Sequence, residues 1–198
     1  MKLKNLKIEL SKLKTFESPN ILLEQYITPG EIAATIAQIA DNTYNDIKNK
    51  TVLDLCCGTG MLGISFSFFN PSFIYYVDVC KDALSICKEN LELFDKQNFS
   101  IIRADVTTNF LKDKIDTCVI NPPFGTRNKG IDVKTIKFAL EISKVVYVVH
   151  TSHTRDFYLK KFKNIKLLGK INYELPKTYK FHKKAKKTIS VDLFRITK

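Results

Sequence analysis

The sequence predicts an α/β fold with a seven-stranded, mostly parallel sheet that ends in a C-terminal antiparallel hairpin. Short apolar runs alternate with amphipathic segments along most of the chain, a pattern typical of parallel strands joined by helices. A glycine-rich turn follows the first apolar run, at residues 58–60. No long helix separates the last two apolar runs, so we expect these two strands to pair antiparallel.

Two helices are predicted before the sheet begins. Four leucines recur at helical spacing among lysines and predict an amphipathic helix that packs on the body of the protein. They are Leu3, Leu6, Leu10 and Leu13. A Ser-Pro-Asn sequence at residues 18–20 interrupts this helix, and Thr28-Pro29 begins the second one.

The remaining elements follow in alternation. Strands are expected at residues 51–55, 73–77, 99–103, 115–120, 145–150, 165–173 and 188–196. Helices are expected through about residue 69, over 82–94, up to residue 144 and over 155–163. A Lys-rich segment, residues 176–187, lies between the last two strands.

Length and composition predict one domain with one core. The chain has 198 residues, of which 44% are apolar, so it is not a disordered chain. We expect a helical extension at residues 1–48 and the core of the domain at 49–198. The net charge of +12 and the pI of about 9.4 favour an anionic partner, nucleic acid before an acidic membrane surface. The alternative is a basic surface that binds nothing acidic.

The five cysteines are interpreted as reduced thiols packed in the core. None forms a C-x-x-C pair and no histidine lies at metal-ligand spacing from them, so we expect no metal site. Lysine recurs through the N-terminal residues, which is unlike a signal peptide, and no apolar run is long enough to span a membrane. We therefore expect an intracellular protein of the cytoplasm or nucleus.

Three aspartates close successive predicted strands around a glycine-rich turn. They are Asp54, Asp78 and Asp105, and residues 58–63 match G-x-G-x-x-G. The charge of Asp54 just before the turn would repel a pyrophosphate, which disfavours a dinucleotide. S-adenosylmethionine (SAM) carries a sulfonium and an ammonium and no phosphate. We expect Asp78 to bind ribose hydroxyls and Asp105 the adenine amino group, and the alternative role for Asp105 is a turn cap.

The tetrapeptide Asn121-Pro122-Pro123-Phe124 directly follows an apolar strand. An exocyclic amine on an aromatic base is a poor nucleophile because its lone pair is delocalised into the ring. The Asn121 side-chain oxygen and the Pro122 carbonyl can accept both amine protons and turn the lone pair toward a methyl donor. Phe124 offers an aromatic face to an unstacked base. The alternative is a turn that only ends the strand.

Two basic segments are candidates for contact with nucleic acid. Arg127 and Lys129 lie in a loop with a glycine at each end, and they could also be ordinary surface charges. Residues 177–187 interleave aromatic and basic side chains, a mixture suited to unstacked RNA, although a solvated hairpin loop is the alternative. The residues expected to contact RNA there are Lys180, Phe181, His182, Lys183 and Lys184.

Four segments make the chain resemble the methyltransferase-like protein five family, which methylates adenine N6 in small-subunit ribosomal RNA. They are Leu22-Leu23-Glu24-Gln25-Tyr26 with Thr28, Asp54-Leu55 through Gly60, Asn121 through Thr126, and Tyr179 through Lys184. The resemblance implies a Rossmann-like SAM-dependent methyltransferase fold, a catalytic core at residues 49–198, and catalysis by Asn121, Pro122, Pro123 and Phe124. It also implies a set of cofactor-binding residues, which with the turn are Gln25, Thr28, Asp54, Cys56, Gly58, Thr59, Gly60, Met61, Asp78, Asp105 and Val106.

The resemblance has one departure and implies one partner. The family usually has glycine where this chain has Cys56, and a side chain there could crowd the cofactor. The implied partner is a small zinc-binding methyltransferase activator subunit that adds a strand to the edge Phe99–Arg103, forming a heterodimer. We expect the isolated chain to be unstable or poorly soluble.

Three other functions are compatible with parts of the sequence. The same tetrapeptide serves enzymes that methylate guanine in rRNA or a protein glutamine. A non-catalytic RNA-binding scaffold could keep a degenerate SAM fold, with Cys56 as its mark. An NAD-dependent oxidoreductase is disfavoured by Asp54 and by the lack of an evident acid or base for hydride transfer.

Overall fold

The computed structural model describes residues 1–106, 108, 111, 114–176 and 186–198. Its helices are α1 (Leu3–Leu10), α2 (Gly30–Asn42), α3 (Met61–Ser67), α4 (Lys81–Glu92), α5 (Ile131–Ile142) and α6 (Arg155–Lys161). Its strands are β1 (Thr51–Leu55), β2 (Phe73–Asp78), β3 (Phe99–Arg103), β4 (Ile115–Ile120), β5 (Ser143–Thr151), β6 (Ile165–Pro176) and β7 (Lys186–Thr197). A short 3₁₀ turn, Ser152–Thr154, precedes α6.

The sheet has the predicted seven strands in the order β3-β2-β1-β4-β5-β7-β6. The strands β1 to β5 are parallel, and β7 pairs antiparallel with both β5 and β6. The predicted fold class is therefore confirmed. The chain order reverses between β1 and β4, and the carboxyl ends of these strands form the crevice where such sheets bind ligands.

The first two helices are shorter than predicted. α1 ends at Leu10, although Leu13 is also buried. α2 begins at Gly30 rather than at Thr28-Pro29, because Thr28 precedes a proline and so avoids helical backbone angles, and Pro29 is the N-cap residue with a non-helical ψ of 138°. Thr28 consequently stays outside the helix and faces the crevice. Within the described part of the chain, no helix is long and apolar enough to cross a membrane.

Helices cover both faces of the sheet. Side chains of α1 to α4 pack on one face, where Leu6, Ile36 and Phe66 are fully buried. Ile136 of α5 and Tyr158 of α6 pack on the other face. The five cysteines are free thiols, and Cys57, Cys87 and Cys118 are buried as predicted. The core prediction is wrong for Cys56 and Cys80, which are only partly buried.

The β6–β7 hairpin extends beyond the carboxyl end of β5. The pairing of β5 with β7 ends at Thr151 opposite Val191, whereas β6 and β7 stay paired as far as Pro176 opposite Lys186. Residues 172–176 and 186–190 thus project about 16 Å past β5, at about 3.3 Å per residue. Because β4 and β5 are parallel, this is also the end of the sheet at which Asn121 follows β4.

Candidate functional site

A cavity of about 270 Å³ lies beyond the carboxyl ends of β1, β2 and β4. One wall is residues 20–28, which we call the strap and which consists of a turn at residues 21–24 followed by irregular backbone. The opposite wall contains residues 56–59 of the glycine-rich turn together with Asp78, Asp105 and Val106. Residues 121–123 close a third side. Residues predicted from three distant parts of the sequence therefore meet at one site.

The cavity is acidic although the chain is basic. Glu24, Asp78 and Asp105 line it, and no lysine, arginine or histidine is found among its described lining residues. The chain as a whole carries a net charge of +12. A cavity with this lining attracts a cationic ligand and repels the phosphates of a dinucleotide.

The glycine-rich turn is held by Asp78. The Asp78 carboxylate accepts the backbone N–H groups of Gly58 and Cys80, both at 2.8 Å. Burial raises the pKa of Asp78, although these N–H groups oppose the shift. Cys56 and Gly58 both have left-handed backbone angles, with φ of 58° and 54°. This explains why glycine suits the position of Cys56, since a side chain there costs roughly 1–2 kcal/mol.

Two residues predicted to bind a cofactor do not line the cavity. Asp54 is fully buried and its Oδ2 accepts the N–H of Gly63 at 2.7 Å. Burial raises the pKa of Asp54 to about 8, so most of this carboxyl is neutral at pH 7. The repulsion of phosphate that we attributed to Asp54 therefore belongs to the three carboxylates of the lining. Gly60 is also absent from the cavity lining and is the N-cap residue that precedes α3, with φ of 88°.

Asn121 presents an unused hydrogen-bond acceptor. Its Nδ2 donates to Oγ1 of Thr28 at 3.0 Å, which orients the side-chain amide. Its Oδ1 is buried and has no hydrogen-bond partner within the described residues. Asn121 lines the cavity together with Pro122 and Pro123. A buried acceptor without a donor is costly, and a ligand N–H group would satisfy it.

Phe124 packs between aromatic neighbours instead of lining the cavity. The ring of Tyr26 stacks on it at 5.6 Å between centroids, with 14° between the planes. The His150 ring packs against it in a T-shaped arrangement, with 4.8 Å between centroids and 62° between the planes. His150 is fully buried, and its burial lowers the imidazole pKa to about 4. Tyr26 thus covers one face of the ring that we expected a base to use.

The strap contacts the loop after β4 through every second residue. Glu24 Oε1 accepts the N–H of Arg127 at 2.8 Å, Tyr26 stacks on Phe124, and Thr28 bonds to Asn121. Glu24 and Tyr26 were not among the site residues predicted from the sequence. The turn that places Glu24 and the contacts with the distant loop depend on tertiary packing, and the available signal was only that both residues lie close before Thr28 and Pro29.

The predicted RNA-binding residues are only partly described. The side chains of Arg127 and Lys129 are exposed in the loop that follows Phe124. Lys180, Phe181, His182, Lys183 and Lys184 lie outside the described residues. The described strand residues on either side of that segment, 172–176 and 186–190, project at the same end of the sheet as the cavity.

Comparisons with known proteins identify close relatives. The family model described as "Methyltransferase small domain" matches residues 34–144. The chain is 39% identical to the rRNA N(6)-adenosine-methyltransferase METTL5 of Danio rerio, over 100% of this chain and 99% of that protein. It is 35% identical to the rRNA N(6)-adenosine-methyltransferase metl-5 of Caenorhabditis elegans, over 96% of this chain and 94% of that protein. A crystal structure from Pyrococcus horikoshii has a TM-score of 0.88 at 34% identity, over 100% of this chain and 98% of that one.

Proposed function

Because the chain belongs to the family of the rRNA N(6)-adenosine-methyltransferase METTL5, we propose that it methylates the N6 amine of an adenosine in small-subunit ribosomal RNA, with SAM as methyl donor. The observation that carries the proposal is the buried, unpartnered Oδ1 of Asn121 beside Pro122 in the cavity wall. The proposed reaction needs a hydrogen-bond acceptor for a proton of the N6 amine, and this oxygen could be that acceptor.

The residues of the cavity fit SAM as the cofactor. The acidic lining suits its sulfonium and ammonium groups. Asp78 would hold the ribose hydroxyls of SAM, and Asp105 would hold its adenine amino group. Gln25 and Thr28 would contact SAM from the strap. Once bound, SAM supplies an electrophilic methyl group on a positively charged sulfur.

The catalytic contribution of the chain is mainly alignment. The Asn121 Oδ1 and the Pro122 carbonyl would accept the two N6 protons, so that the nitrogen lone pair faces the methyl group. As the N6–C bond forms and the C–S bond breaks, positive charge develops on N6, and the same two acceptors stabilise it. The methylated nitrogen, which is then strongly acidic, would release one proton to solvent water. No side chain with a shifted pKa is needed as a general base.

The basic segments would bind the RNA. Arg127 and Lys129 are exposed next to the catalytic residues and can reach phosphates. The β6–β7 hairpin projects past the cavity end of the sheet, which supports a role for Lys180, Phe181, His182, Lys183 and Lys184 in holding the strand that carries the target.

The edge strand β3 would bind the small zinc-binding activator subunit. β3 carries Phe99, Ile101 and Ile102 and no lysine, whereas the opposite edge, β6, carries exposed Lys166 and Lys170. Lysines on an edge strand oppose pairing with another chain, so β3 is the edge that favours a partner strand.

Transfer of a methyl group to purified small-subunit rRNA tests the proposal. Wild-type protein with SAM should form N6-methyladenosine, detected by mass spectrometry of the nucleosides. Asn121→Ala should lose at least about a hundredfold in turnover, as expected when a donor or acceptor of the transition state is removed, and should bind SAM almost as tightly as wild type. If the product were N2-methylguanosine or a methylated protein glutamine, the target would be guanosine or glutamine instead of adenosine. No SAM binding by wild type, with or without a partner, would favour the scaffold function.

A further inference from the structure

Glu24 is a buried carboxylate in the cavity wall that the proposed reaction leaves without a role. Its side chain lines the cavity and the residue is 5% exposed. Oε1 accepts the Arg127 N–H at 2.8 Å, whereas Oε2 is buried and has no partner in the described part of the chain. A carboxylate oxygen without a donor in such a place is costly, so a ligand donor is expected to meet it.

Among the hydrogen-bond donors of the cofactor, the proposed function leaves one group without an acceptor. The two N6 protons of the target adenine go to Asn121 and Pro122. Asp105 and Asp78 take the adenine amino group and the ribose hydroxyls of the cofactor. The ammonium group at the methionine end of the cofactor remains, and it combines a positive charge with three N–H donors.

We propose that the Oε2 atom of Glu24 binds this ammonium group. The inference rests on the proposed function, because it takes SAM as the ligand of the cavity. Gln25 and Thr28, which the family resemblance places at the cofactor, lie on the same strap, so Glu24 is in the same wall. The negative charge of Glu24 also matches the cation better than any neutral acceptor could.

The two oxygens of Glu24 then connect the cofactor with the catalytic loop. Oε1 holds the backbone of Arg127, six residues after Asn121, and Oε2 holds the cofactor. The backbone of Glu24 has a left-handed φ of 51°, and its N–H donates to Ile21 at 3.1 Å, which ends a turn of the strap. A costly backbone conformation thus places this carboxylate between the loop and the cavity.

Two ligands that differ by the amino-acid end test the inference by calorimetry on the full chain. S-adenosylhomocysteine has the ammonium group, and 5′-methylthioadenosine lacks the whole amino-acid end. Glu24→Gln should weaken binding of S-adenosylhomocysteine about tenfold or more, as expected for a charge-assisted hydrogen bond, and should leave binding of 5′-methylthioadenosine unchanged. Glu17→Gln, which removes an exposed charge from the same N-terminal region, should change neither.

Hydrogen exchange at the Arg127 amide distinguishes the roles of the two carboxylate oxygens of Glu24. Glutamine keeps an acceptor for this N–H, so the amide should stay protected in Glu24→Gln and lose protection in Glu24→Ala. Equal weakening of both ligands in Glu24→Gln, or wild-type affinity for S-adenosylhomocysteine, would overturn the inference. Failure of the wild-type chain to bind either ligand would instead overturn the proposed function, and the inference with it.

Discussion

The ring of Tyr26 stacks on the ring of Phe124, with centroids 5.6 Å and planes 14° apart, although half of the chain lies between them. Tyr26 belongs to the strap that lines the cavity, and Phe124 ends the Asn-Pro-Pro-Phe sequence. The stack therefore joins the wall of the cavity to the residues proposed for catalysis.

Loss of this stack should slow the reaction more than it weakens cofactor binding. Tyr26→Ala removes an aromatic pair worth about 0.5–1.5 kcal/mol and loosens the loop that carries Asn121, so we expect turnover at saturating substrates to fall about tenfold. Tyr26→Phe keeps the stack and should retain most of the turnover. Steady-state kinetics with both variants tests this, and equal turnover in Tyr26→Ala and wild type would contradict it.

The buried Asp54 should make the protein less stable as the pH rises. Its pKa is about 8 in the folded chain and 3.8 for an unperturbed aspartate, so the folded state binds more protons between these values. The stability that Asp54 contributes is complete below about pH 4 and is lost as the pH rises toward 8. Asp54→Asn keeps an acceptor for the Gly63 N–H and should flatten this dependence, making the variant the more stable protein at pH 8.

Asp116 provides a control of opposite sign for the pH experiment. The hydrogen bond that Asp116 accepts from Lys144 lowers the pKa of Asp116. The stability that Asp116 contributes is therefore present above the pKa of an unfolded aspartate and is lost as the pH falls below it. Asp116→Asn should therefore cost a little stability at pH 7, since this ion pair is mostly exposed. Melting temperatures from pH 4 to pH 8 measure both effects. Parallel curves for wild type and Asp54→Asn would show that Asp54 does not titrate in this range.

Gly63 should tolerate no side chain. A Cβ atom there would overlap the Tyr76 ring and lie 2.9 Å from the side chain of Asp54, both of which belong to strands under α3. Gly63→Ala should destabilise the protein by about 3 kcal/mol or more, because a packed core cannot absorb the added volume. Gly169→Ala is the matched control, since a Cβ at Gly169 has no neighbour within 4 Å. Chemical denaturation that found equal stability for the two variants would refute the packing argument.

The Lys-rich hairpin should set part of the salt dependence of RNA binding. If Lys183 and Lys184 each contact a phosphate, replacing both with alanine should lower the slope of log K against log salt by about 1.4–1.8. Lys48→Ala with Lys50→Ala removes the same charge at the opposite end of the sheet, just before β1, and should leave the slope unchanged. RNA binding of both double variants is measured at several salt concentrations. Equal slopes for the two would show that Lys183 and Lys184 do not contact phosphates.

The sequence alone predicted the strands, their pairing type and the residues that end them. Apolar periodicity and turn residues act over a few positions, so β1 to β5 and the Asn121-Pro122-Pro123-Phe124 sequence could be located without a structure. The rule that ligands bind at the carboxyl ends of parallel strands then predicted that Asp78, Asp105 and Asn121 would meet, as they do in the cavity wall.

Only the tertiary structure decided which of these residues face a ligand and in what state. Asp54 and Asp78 both follow apolar runs, yet Asp54 is sealed under α3 and has a pKa of about 8, while Asp78 lines the cavity. The contacts of Glu24 with Arg127 and of Tyr26 with Phe124 join segments about a hundred residues apart. Burial and hydrogen-bond partners depend on such distant neighbours, which the local pattern of a chain does not encode.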